Sequence, residues 1–106
     1  MSMVGALIEI SGGNIRNHHI YLGDASSLFP KSVVGGKNTS EAAKEEPSVE
    51  FVPGSTIRTD IAGDKMTFRN RAAVREFFEV AGVVEGDRIL VEIVAASTLR
   101  VSKISR

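Results

Sequence analysis

The stretch Asn70-Arg71-Ala72-Ala73-Val74-Arg75-Glu76-Phe77-Phe78-Glu79-Val80-Ala81-Gly82-Val83-Val84-Glu85-Gly86-Asp87 reads as a whole helix, its stop and the turn that leaves it. Val74, Phe77, Phe78 and Ala81 fall at i, i+3, i+4 and i+7, one apolar stripe that must face a core. Asn70 stands where an N-cap side chain meets the unpaired N–H groups of the first turn. Gly82 stands where a left-handed residue ends a helix, with Val83 folding back on the last turn. The spacing predicts a helix over 71–81.

Away from this helix the pattern turns to strands. Arg88 to Val94 points Ile89, Val91 and Ile93 inward and Glu92 outward, and Ala95-Ala96-Ser97 turns it into Thr98 to Ile104, paired antiparallel. Upstream, Thr56–Asp60 and Lys65–Phe68 flank Ile61-Ala62-Gly63-Asp64, the pattern of a hairpin. Ser48–Val52 is a short strand turned by Pro53-Gly54, and Val4–Ile10 opens the chain as another. Ser11-Gly12-Gly13-Asn14 has turn chemistry, and the alternation of Ile15 to Leu22 predicts a strand. Asp24 caps a helical turn, Ala25–Phe29, closed by Pro30, and residues around 35–47 form a flexible acidic loop. Such short strands, with turns every 8–12 residues, predict a mostly β domain with one main helix. About seven short strands indicate a barrel or sandwich, and the expected form is an open, mainly antiparallel barrel. Val74, Phe77, Phe78, Ile89, Val91, Ile93, Leu99 and Val101 are expected to be buried together.

The bulk numbers bound the function. A chain of 106 residues, 42% hydrophobic and 25% charged, suits one domain over 1–106 around a single core. No cysteine is present, which removes disulfides, thiolate metal sites and thiol chemistry. No apolar run approaches a membrane span, and Met1–Ile10 lacks the basic lead of a signal peptide, so a cytoplasmic protein with no membrane partner is expected. Net charge is zero, yet the charges are segregated. Arg58, Lys65, Arg69, Arg71 and Arg75 crowd Thr56–Glu76, and Arg16, Lys31 and Lys37 face only Asp24 between Ser11 and Ser40. The acids gather in Glu41–Glu50 and Phe77–Glu92. A field acts within a Debye length, so a neutral chain can still present a basic face.

The order strand, basic turn, helix with paired Phe, glycine stop, Glu-Gly-Asp turn and hairpin runs through Met66-Thr67-Phe68-Arg69-Asn70-Arg71 to Ile89-Leu90-Val91. It resembles the B-three type of DNA-binding pseudobarrel, found in plant transcription factors and in effector domains of some restriction endonucleases. Leu28-Phe29-Pro30-Lys31 is similar to the family's apolar-Pro-Lys element. The chain looks closest to small bacterial members, some of which adjoin DNA-modification enzymes. The resemblance implies an open seven-stranded pseudobarrel with two loop arms gripping the major groove of double-stranded DNA. By position the first arm is Asn14, Arg16, Asn17, His18 and Lys31, and the second is Arg58, Thr59, Asp60, Asp64, Lys65, Arg69 and Arg71. These residue types suit the work. Arg bonds guanine, Asn reads adenine, Asp accepts from cytosine, and Lys and Thr suit phosphates. The implied role is a specificity or reader module in restriction-modification or transcription, acting beside an enzyme domain or subunit.

Other motifs read as structure. Phe77-Phe78 is core. His18-His19 are neighbours that a strand points to opposite faces, which disfavours one shared metal ion. Asp60 and Asp64 read as turn residues before paired carboxylates. Gly35-Gly36-Lys37-Asn38 lacks the spacing of a phosphate loop, and no serine sits in a nucleophile elbow. No cofactor, no metal and no catalysis are expected. The alternative is a protein-interaction or small-ligand barrel without DNA binding, since fold does not fix function.

Overall fold

The computed structural model describes residues 4–23, 34–35, 46–62, 66–95 and 97–104. Its elements are β1 (Val4–Glu9), α1 (Gly12–Asn17), β2 (Val34–Gly35), β3 (Ser48–Val52), β4 (Thr56–Arg58), β5 (Ile61–Ala62), β6 (Thr67–Phe68), α2 (Arg71–Ala81), β7 (Arg88–Ala95) and β8 (Thr98–Lys103). The chain is mostly β with one main helix. The described strands form a five-stranded sheet, ordered β1-β7-β8-β3-β4, and a small sheet, β2-β5-β6. Among the described residues there are eight strand segments, so the expected count of seven is not confirmed.

The C-terminal half follows its local signals. The Asn70 side chain accepts from the Ala73 N–H, and Gly82 ends α2 at φ 66°. Val83 N–H returns to the Phe78 carbonyl. The β7–β8 hairpin is antiparallel, with Val91 opposite Val101. The pairing of β3 with β8 is parallel, setting Val49 beside Leu99 and Phe51 beside Val101. This join makes the sheet mixed.

Three expectations fail upstream of α2. Residues 15–22 do not form a strand: α1 runs to Asn17 and stops at His18, which is left-handed at φ 55°. The Ser11–Asn14 segment is the helix entry rather than a turn. Ser11 Oγ accepts from Asn14 N–H, and Asn14 Oδ1 accepts from Ser11 N–H, a reciprocal cap that satisfies two donors. Only Tyr21, bridged to Thr67, retains strand pairing in that stretch. The expected hairpin of 56–60 with 65–68 is also absent. Instead β4 folds back on β3 across Pro53-Gly54, with Ser48 opposite Arg58, while β5 pairs with β6. Phe51 N–H donates to the Ser55 carbonyl and Gly54 lies at φ 144°, closing a tight turn between β3 and β4. The helical turn expected over 25–29 lies outside the described residues.

The core fills the space between the sheets and α2. Phe51 meets Phe68 edge-on at 6.0 Å and Phe77 at 5.5 Å, and Phe77 meets Phe78 at 6.2 Å. Edge-to-face and tilted ring pairs of this kind contribute about 0.5–1.5 kcal/mol each beyond burial. Val74, Phe77, Phe78, Ile89, Val91, Leu99 and Val101 are all buried as expected, and Ile93 lies half-buried at the margin. Phe77→Ala should cost about 3–5 kcal/mol, the usual range for a truncated core ring, measured from urea unfolding. A loss below about 1 kcal/mol would place the ring outside the core.

Candidate nucleic-acid interface

The two segments expected to be arms meet through Arg71. Its Nε and Nη2 donate to the Asn17 carbonyl at 3.1 and 2.9 Å. That carbonyl belongs to the last turn of α1, where C=O groups lack helical partners. Leu22 N–H donates to the Met66 carbonyl at 2.7 Å, so the chain leaving α1 runs beside β6. The first basic segment is thus docked on the start of α2.

A second set of bonds staples 59–60 to 69–70. Asp60 accepts from Arg69 through both oxygens, Nε to Oδ1 at 2.6 Å and Nη2 to Oδ2 at 3.0 Å. The Asp60 side chain is fully buried and that of Arg69 is 17% exposed. Arg69 N–H also donates to the Asp60 carbonyl at 3.0 Å. The Thr59 hydroxyl donates to the same carbonyl and accepts from Asn70 N–H at 3.0 Å. These contacts close the base of the β5–β6 hairpin and fix the start of α2.

This geometry redistributes the expected site. Thr59 and Asp60 are interior residues, not groove contacts, and Arg69 spends its guanidinium on Asp60. A carboxylate held by a bidentate guanidinium inside the protein cannot reach a base edge. Asn14 is occupied by the cap, and Asn17 Nδ2 donates to the Gly13 carbonyl. His18 is half-buried and turns to a cleft between the helices. Arg16, Arg58 and Arg71 remain exposed. Lys31, Asp64 and Lys65 lie outside the described residues.

Ion pairing separates these arginines from other cations. Arg69, Arg75, Arg100 and Lys103 pair with Asp60, Glu79, Glu50 and Asp87. Arg16, Arg58, Arg71 and Arg88 take no part in an ion pair among the described residues. A carboxylate does approach the first arm. Arg16 Nη1 and Glu85 Oε1 each lie 3.1 Å from where a Cβ on Gly12 would stand. No sequence pattern links Glu85 to α1, because a non-local packing contact brings them together. Among the described residues no three of His, Asp or Glu gather as a metal cage.

Comparison of the chain with protein-family models, curated proteins and solved structures finds no match.

Asp60→Ala leaves Arg69 without its carboxylate in a mostly buried position, and should cost about 3–5 kcal/mol of stability. Arg58→Ala, at an exposed position with no ion pair, should leave the unfolding midpoint in place. Equal midpoints for the two variants would refute the assignment of Asp60 to the interior.

Proposed function

We propose that the chain is a non-catalytic module that grips the major groove of duplex DNA. The supporting observation is the set Arg16, Arg58 and Arg71, exposed cations that take part in no ion pair among the described residues. Ordinary surface charges tend to pair or mix, and here three lie on the two segments that Arg71 joins. Arg16 and Arg58 are the base-edge readers of this reading, because an unpaired guanidinium can bond guanine bidentately. Lys31 and Lys65 supply phosphate contacts, as does Arg71, whose Nη1 is not used on Asn17. The open pseudobarrel of the B-three type is part of the same reading, supported by the order of β7, β8 and α2. A reader or specificity role beside a restriction-modification or transcription system in the cytoplasm follows from it.

A second reading, a protein-interaction module, has its own support. Leu7, Val80 and Val84 are each more than half exposed. Leu7 lies on β1, an edge of the five-stranded sheet among the described strands, and exposed edges are templates for added strands.

The test is duplex binding across a salt series. Neutralising about four to six phosphates gives a slope of log K on log salt of roughly −4 to −5. Arg58→Ala should relax preference at one base pair by about 1–3 kcal/mol, while Arg71→Ala weakens all duplexes alike and shallows the slope by about one. Glu85→Gln removes a negative charge beside Arg16 and should tighten binding about two- to threefold at low salt. Absence of binding to any duplex at about 50 mM salt would overturn the DNA reading in favour of the interaction module.

A further inference from the structure

Between α1 and α2 lies an open cleft of about 200 Å³, lined by Ile15, His18, Arg75, Phe78, Glu79 and Val83. Phe78 and Val83 are buried and Ile15 is half-buried, so they give the cleft an apolar floor. His18, Arg75 and Glu79 stand at its rim. Arg75 Nε meets Glu79 Oε1 at 3.2 Å across one helical turn. This leaves Glu79 Oε2 as an acceptor and the Arg75 Nη groups as donors on two residues that line the cleft. Apolar floor and convergent polar rim are the parts of a small-molecule site.

Size and chemistry narrow the ligand. A cavity of about 150 Å³ admits one benzene-sized ring, so this cleft suits a single flat heterocycle with one edge at the rim. An adjacent donor and acceptor call for a ring that offers an acceptor next to a donor. We infer that the cleft binds a nucleobase carrying an exocyclic amine beside a ring nitrogen, as in adenine or cytosine. The amine donates to Glu79, the ring nitrogen accepts from Arg75, and the ring lies against Ile15 and Val83. His18 enters the rim because its left-handed backbone ends α1 at this point. The source of the base is a free nucleoside or an unpaired base in a strand. The cleft is lined by none of Arg16, Arg58 and Arg71, so free nucleosides report on it whether or not the chain holds duplex DNA.

The experiment is a titration of the folded chain with adenosine, followed by amide NMR. Saturable shifts should gather at residues 15–18 and 75–83, with a dissociation constant on the order of 0.1–1 mM for so few contact atoms. Purine riboside, which lacks only the amine, should bind at least about tenfold more weakly, since it leaves Glu79 without its donor. Glu79→Ala at the exposed rim should remove that tenfold difference, and Ile15→Trp, which fills the floor, should abolish saturation. A duplex with one bulged adenine tells the sources apart. Tighter binding than to the matched duplex marks an unpaired base as the ligand, and equal binding marks the free nucleoside. Adenosine that fails to saturate at about 10 mM, shifts elsewhere on the surface, or equal affinity for purine riboside would overturn the inference.

Discussion

Asp60 and Arg69 make the contact from which the rest of the molecule takes its arrangement. A carboxylate at full burial is costly in isolation and is tolerated when a guanidinium meets it through two bonds. The pair does more than neutralise a charge. With Thr59 and the backbone of Arg69 and Asn70 it locks the end of β4 to the beginning of α2. Breaking a buried pair by removing one partner leaves the other unsatisfied, so the lock holds as a unit. Arg71, two residues on, is thereby aimed at the end of α1.

Around this lock the aromatic rings tie three otherwise separate pieces together. Phe51 comes from β3, Phe68 from β6 and Phe77 from α2, and each touches at least one other. The large sheet, the small sheet and the helix therefore share one core. Interiors pack near crystal density, so a shift in any of these rings would be felt in the other elements. Such a core provides a rigid base for the exposed side chains around it.

Charge is distributed by the same packing. Some cations of the sheet and of α2 find carboxylates at fixed register, as Arg100 does with Glu50 across the parallel join of β3 and β8. Those at α1, the end of β4 and the start of α2 do not. Exposed pairs add little to stability, so leaving these arginines unpaired costs the fold almost nothing. Glu85, close to Arg16 across Gly12, sets a negative charge of the Glu-Gly-Asp turn beside α1.

The sequence alone determined the elements whose signals are local. The apolar stripe of 74–81, the Asn70 cap, the Gly82 stop and the alternation of 88–104 are each read within a few residues, and all appear in the structure. The cap of α1 was local too, in Ser11 and Asn14, but the alternation of Ile15–Leu22 masked it. The reciprocal cap satisfies the near end of this short helix, and Arg71 on the Asn17 carbonyl satisfies its far end. Tertiary structure alone decided the parallel pairing of β3 with β8, where Ser48 meets Thr98. It also decided which basic and acidic residues point inward. Asp60, Arg69 and Thr59 have the same residue types as surface contacts, and no local pattern separates a buried polar group from an exposed one. Its fate depends on whether folding brings a partner to it, because burial without a hydrogen bond is too costly to persist.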